Sequence, residues 1–360
     1  MIETPSLVDQ HCHGVLRTEL GLGTFEAHLG RNGRPAAPGT TFFDTQTGFA
    51  VRRWCPPLLG LEPHCPPARY LARRRELGVL ESGRRLLRAS GISTYLVDTG
   101  LPGDLTGPAE IASAGAADAH EIVRLELLAE QVADTSGSVE AFLANLSEAV
   151  HGAAVTAVAF TSVAGVGRGL ARTAEPPGPG EVRGAAGRWL AGRAVGGRLT
   201  DPVLLRHLLW VAVASGRPLQ LRVGGEDPAA GLADFAASTS GLGTDVVLLH
   251  GYPYHRQTAQ LTGLYPHVYA DLGSVLARTG ARAAAVLAEL LELAPFGKLL
   301  FSSGAQALPE LHVVAASVFR GALSRVLGEW VGDGAWSLTD AQRVATMIAS
   351  GNARRIYGLR

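Results

Sequence analysis

Eight short apolar runs, each followed by a longer stretch of helical character, recur along the chain and restrict its fold more than any other feature. The runs are 6–13 (SLVDQHCH), 93–99 (STYLVDT), 121–127 (EIVRLEL), 155–160 (VTAVAF), 218–223 (PLQLRV), 245–250 (DVVLLH), 268–273 (VYADLG) and 298–303 (KLLFSS). Between them lie amphipathic stretches rich in Ala, Leu, Arg and Glu, such as 138–150, 200–215, 279–293 and 309–327. Strand then helix, repeated eight times, predicts an α/β protein with a closed parallel (β/α)8 TIM-type barrel rather than an open sheet. Two stretches interrupt the alternation. Residues 14–90 carry Pro, Gly, a Trp-Cys-Pro-Pro segment at 54–57 and a helical pattern at 67–89. They predict a helical insertion after the first strand that caps the barrel mouth. Residues 176–181 (PPGPGE) predict a flexible loop after strand four. With no internal repeat or linker, the expectation is one barrel domain over residues 1–360.

Composition narrows the function classes. The hydrophobic fraction of 47% and charged fraction of 18% suit a large buried core and exclude a disordered chain. Thirty-two basic and thirty-two acidic side chains balance, so nothing favours a phosphate backbone, and nucleic acid is not an expected partner. No apolar run reaches the roughly 18–20 residues that span a bilayer, and the start lacks a basic-then-apolar leader pattern. The expectation is a cytoplasmic chain with no membrane partner, compatible with a homo-oligomer. Cys12, Cys55 and Cys65 are odd in number and lack Cys-x-x-Cys spacing, which predicts reduced thiols. Every basic residue is Arg except Lys298. Chemistry that needs a lysine amine therefore has one candidate.

In this fold the chemistry lies at the C-terminal ends of the strands. The residues ending the predicted strands are His11 and His13, Asp98 and Thr99, Glu126, Thr161, Arg222, His250, Asp271 and Gly304. His11 and His13 are separated by one strand residue, so both imidazoles face one side and Cys12 the other. Two such imidazoles can share a divalent metal, with zinc the usual guest, or can be hydrogen-bonded histidines in a polar mouth. Arg222 is able to clamp a carboxylate through two parallel hydrogen bonds, or to pair with Glu226, Asp227 or Glu126. His250, Tyr252, Tyr254 and His255 cluster just after strand six. There His250 can act as acid or base without metal, or line the mouth as a hydrogen-bonded group. His255 opens a helix, and such a residue is more often a surface or capping residue than a site residue. The glycines at 165, 167 and 169 lack the spacing of a phosphate loop and predict a turn, and no nucleophile-elbow or P-loop motif occurs. Glu310 sits where a helix dipole stabilises a carboxylate, and His312 follows one turn into the same helix.

LVDQHCHG at 7–14, LLHGYPYHRQTAQL at 248–261, VYADLG at 268–273, KLLFSSGAQALPELH at 298–312 and GNARRIYG at 351–358 resemble the amidohydrolase superfamily. The likeness is to the amidohydrolase-2 branch, that of the FluG N-terminal region and of glutamine synthetase-associated domains. It runs from residue 6 to the C-terminus and includes the insertion segment DTQTGFAVRRWCPPLLGLEPH at 44–64. The resemblance implies a metal-dependent hydrolase of carbon–nitrogen or carbon–oxygen bonds, with a small acidic amide of γ-glutamyl type as the substrate class. It implies His11 and His13 as metal ligands and His250 as a weaker one. Relatives carry a lysine where this chain has Thr161, a histidine where it has Arg222, and a ligating aspartate where it has Gly304.

Those departures have physical weight. A guanidinium stays protonated and offers no lone pair to a metal, and glycine removes both an oxygen ligand and a proton acceptor. Three readings follow. The first is an amidohydrolase-like hydrolase of a C–N bond with an atypical metal site. The second is a metal-independent hydrolase, lyase or decarboxylase in which His250 and Glu126 move protons and Arg222, Tyr252 and His255 contact the substrate. The third is a non-catalytic pseudoenzyme that binds a small anion or a protein partner. The cofactor is then a divalent metal, zinc foremost, or none, and the partner a carboxylate-bearing small molecule.

Overall fold

The computed structural model describes residues 2–30, 34–163, 174–223 and 229–360. The glycines at 165, 167 and 169, and Glu226 and Asp227 as partners for Arg222, lie outside the described residues. Eight strands form one sheet in chain order: β1 (Leu7–Cys12), β2 (Ile92–Asp98), β3 (Asp118–Arg124), β4 (Ala159–Ser162), β5 (Leu219–Arg222), β6 (Val246–Leu249), β7 (Val268–Asp271) and β8 (Leu299–Leu300). The β1–β2, β3–β4, β4–β5, β5–β6 and β6–β7 pairs are parallel. Helices follow the strands, which is the (β/α)8 arrangement expected from the alternation. β1 is buried at all six positions, as a strand covered on both faces must be.

By contact density the chain divides into two compact units. The first comprises Met1–His120, Leu272–Glu292 and Leu299–Arg355. Here β1 is hydrogen-bonded to β2 and also to the segment after β8, through Gln10 N to Phe301 O (3.1 Å), Gly304 N to His11 O (3.0 Å) and His13 N to Ala305 O (2.8 Å). The described residues of 14–90 hold four helices, Leu22–Leu29, Gln46–Leu58, Pro67–Leu77 and Val79–Ala89. Trp54-Cys-Pro-Pro lies within a helix capped by the Thr45 hydroxyl, which accepts from Gly48 N at 3.0 Å. The single helical pattern expected at 67–89 is broken at Gly78, whose φ of 79° is the left-handed backbone that glycine adopts without strain. Pro309–Gly332 packs on Gln46–Leu58 and Val79–Ala89. It is long and apolar enough to cross a bilayer, yet 61% of its apolar window is buried within the protein, as in a core helix.

The second unit comprises Glu121–Asp271, Leu293–Lys298 and Ile356–Arg360. Its core gathers Phe142, Phe160, Leu219, Phe235 and Val246, all nearly fully buried. Two strand limits differ from the pattern. Helix Val139–Thr156 runs through Val155, which is 71% exposed, so the apolar run 155–160 straddles a helix end and the start of β4. Glu126 lies in the first turn of helix Leu125–Thr135 rather than at the end of β3. Residues 179–181, expected as loop, begin helix Pro179–Gly192, with Pro179 at a position where its missing N–H costs nothing.

Lys298 precedes β8, and its ammonium donates to the carbonyls of Tyr265 (2.8 Å), Pro266 and Val268 (3.3 Å) at the start of β7. The lone lysine is thus a structural donor at the N-terminal side of a strand, as expected for the face away from the chemistry. Lys298→Met is expected to cost about 1–3 kcal/mol, because three carbonyls lose a charged donor. Equilibrium urea unfolding reads that loss, and metal uptake is expected to be unchanged.

Candidate metal centre

The alternation of β1 does what its sequence predicts. His11 and His13 are buried, with ring centroids 5.1 Å apart and planes at 85°. Cys12 turns the other way and its thiol donates to Leu96 O at 3.5 Å. Burial, with Asp9 and Asp98 nearby, pushes that thiol well above its ordinary range, so it stays protonated.

The end of β2 adds a group that the sequence reading did not include in the metal set. His13 Nδ1 lies 3.0 Å from the backbone carbonyl of Asp98 and 3.7 Å from Asp98 Oδ2. A carbonyl oxygen only accepts, so Nδ1 carries a ring proton, and in the neutral ring Nε2 keeps its lone pair. This is the tautomer in which an outer hydrogen bond orients a histidine for metal binding. Asp98 Oδ1 accepts from Gly100 N at 2.8 Å, which fixes the carboxylate in turn. Ligand atoms of His11, His13 and Asp98 lie within 4.8 Å of one another, all three residues buried. Two imidazoles and one carboxylate are three protein ligands of kinds that zinc accepts at catalytic sites, so the donor set fits a divalent ion.

Gly304, where a family carboxylate is expected, has φ 53° and gives its N–H to His11 O at 3.0 Å. Its contribution is backbone only. The segment around it is held from β1 by Asp9, whose Oδ1 accepts from Ser303 N (2.7 Å) and whose Oδ2 accepts from Ser303 Oγ (2.5 Å). Ser303 Oγ also accepts from Ala305 N at 3.1 Å. His312 Nδ1 completes the cluster, 3.3 Å from both Asp9 Oδ2 and Ser303 Oγ. Asp9, Ser303 and His312 have no exposed surface, so a substrate cannot reach this Ser–His–Asp grouping and it is not a nucleophilic triad. Glu310, expected as a dipole-stabilised helix terminus, is fully buried. It accepts from Tyr70 OH at 2.7 Å and pairs with Arg74 Nε at 3.1 Å, both from the insertion.

In the second unit, Glu126 Oε1 accepts from Ser162 Oγ (2.5 Å) and Val163 N (3.1 Å), so that oxygen anchors the end of β4. Thr161 is buried within β4, opposite Arg124 and Gln220. Arg222 closes β5 with its side chain exposed. His250 follows β6, half-buried, at a φ of 59° that non-glycine residues seldom adopt. Tyr252 stacks on His255 with centroids 5.4 Å apart and planes at 20°. His255 is 8% exposed, buried rather than on the surface, with Nδ1 3.0 Å from Pro253 O at the start of helix His255–Leu264. Asp271 ends β7, buried.

A stretch of 117 residues, 32% of the chain, is 38% identical to the protein FluG of Emericella nidulans. Over that stretch the chain is similar to FluG. The match spans 14% of the fungal protein, and no family model matches the chain. Among solved structures, a Lactobacillus casei ATCC 334 protein described as a candidate metal-dependent hydrolase superposes with a TM-score of 0.84. It is 24% identical, over 99% of this chain and 96% of its own. Uronate isomerases of Bacillus halodurans C-125 and Thermotoga maritima superpose with TM-scores of 0.63 and 0.61 at 13% identity. The first covers 100% of this chain and 94% of its own, the second 98% and 94%. These likenesses establish the fold.

Proposed function

We propose that the chain is a metal-assisted hydrolase of the C–N bond of a small carboxylate-bearing amide, with His11, His13 and Asp98 holding a divalent ion, zinc foremost. The observation that carries the reading is the His13 contact to the Asp98 carbonyl, which commits Nδ1 to donation and leaves Nε2 as a ligand. Asp98 also supplies the oxygen ligand that the strand-eight position lacks. A divalent ion held there would supply Lewis acidity toward a carbonyl oxygen and lower the pKa of water. The chain's own residues orient the ligands: Gly100 N fixes the Asp98 carboxylate, and the backbone bonds of His11 and His13 to residues 304 and 305 fix β1.

The test is metal content after dialysis against limiting zinc, followed by ammonia or amine release from a panel of γ-glutamyl and related acidic amides. About one equivalent of zinc per chain is expected, and Asp98→Asn and His13→Ala are each expected to lower its affinity by about tenfold or more. Full uptake in both variants would remove these residues from the centre. Stoichiometric metal with no release from any amide would leave the centre standing and reject the C–N substrate class.

A further inference from the structure

We infer that a groove between helix Gln46–Leu58, the turn Gly280–Arg282 and helix Pro309–Gly332 binds a small organic anion with a flat aromatic part. The inference lies outside the metal centre and does not depend on it. The groove has a volume of about 510 Å³, within the range of small-molecule sites. Its floor is built from alanine, glycine and serine on the second and third elements, which leaves room for a planar group. Phe49 and Trp54 form an aromatic wall, with Phe49 51% exposed. Arg53, Arg325 and His64 supply cationic and imidazole groups, and among the described residues no carboxylate lines the groove.

The charge is uncompensated. Neither Arg53 nor Arg325 makes an ion pair among the described residues, whereas Arg69, Arg73 and Arg85 of the neighbouring helices are each paired with a glutamate. The Arg53 guanidinium carbon lies 4.4 Å from the Trp54 ring centroid, a cation–π contact that limits the freedom lost on binding. His64 is held at φ 61°, with its N–H donated to Arg52 O at 2.7 Å and its carbonyl accepting from Arg52. Non-glycine backbone in this region costs energy and recurs at binding sites. The walls are tied together, because Gln46 Oε1 accepts from Ala281 N at 2.9 Å and Thr47 Oγ1 donates to Ala277 O at 3.5 Å. A preformed slot with an aromatic wall and unpaired guanidinium groups has the chemistry of an aromatic carboxylate or phosphate site.

Isothermal titration of the full chain with 1-naphthoate, 1-naphthyl phosphate and the neutral 1-naphthalenemethanol tests this. At least one anion is expected to bind at a single site, at least tenfold more tightly than the neutral compound, and the preferred head group identifies the ligand class. Arg53→Ala with Arg325→Ala is expected to weaken that binding at least tenfold. Gly321→Leu is an independent variant, since Gly321 lines the groove and a Cβ added there meets nothing within 4 Å. It is expected to block binding while the thermal unfolding midpoint holds or rises. Equal binding of neutral and anionic compounds, binding undiminished in both variants, or no binding of either anion at millimolar concentration would each overturn the inference.

Discussion

Asp9→Ala is expected to lower the free energy of unfolding by about 3–5 kcal/mol, read from urea titrations at fixed metal concentration. The carboxylate is fully buried and accepts the Ser303 N–H and hydroxyl at 2.7 and 2.5 Å, while His312 Nδ1 stands 3.3 Å away. Alanine removes both acceptors and leaves two or three buried polar groups unpaired, each worth about 1–3 kcal/mol. Asp9→Asn keeps one acceptor oxygen for Ser303 N and is expected to cost less. The effect reaches the proposed centre through the backbone, because Gly304 N and Ala305 O bond to His11 and His13. Metal affinity should therefore fall along with stability in Asp9→Ala. It should be largely retained in Lys298→Met, whose contacts are to Tyr265, Pro266 and Val268. Loss of stability with unchanged metal affinity would confine Asp9 to folding.

The strands were legible because parallel strands buried on both faces are short, apolar and bounded by turn residues. Their limits were less so where the apolar run continued into a helix. Val155 and Thr156 look like strand residues, yet they form the last turn of Val139–Thr156, and periodicity over six residues does not separate the two. The histidine pair was legible for the opposite reason, since spacing of two within one strand is a local property. Asp98 was visible as a strand end but not as a partner of His13. Its place beside His13 depends on the β1–β2 register, with Cys12 opposite Val97, and an irregularity between Asp9 and Cys12 shifts that register. No spacing along the chain encodes such a shift. The same holds for Ser303 and Asp9, brought together by closure of the segment after β8 onto β1.

Glu310 shows the limit from another side, and it sets the second large effect. As a helix-terminal carboxylate it would tolerate substitution at small cost, but it is fully buried with Arg74 and Tyr70 against it. Arg74→Ala is expected to destabilise the chain by about 3–5 kcal/mol, because a carboxylate is left buried without its cation. The pair is not well satisfied even in the native chain. Arg74 Nη1 and Glu310 Oε2 are buried without hydrogen-bond partners among the described residues, so its attraction offsets only part of the desolvation of two charges. Replacing both at once, as Arg74→Met with Glu310→Leu, is therefore expected to recover most of the loss seen in Arg74→Ala alone. Tyr70 donates to the same carboxylate, and burial beside Glu310 pushes its phenol well above the ordinary range, so it remains a neutral donor. In the double variant its hydroxyl loses its acceptor, and adding Tyr70→Phe is expected to return a further 1–2 kcal/mol, roughly. Unfolding of the single, double and triple variants checks the sequence of effects. A double variant as unstable as Arg74→Ala would mean that the pair is net stabilising and that the insertion depends on it for more than packing.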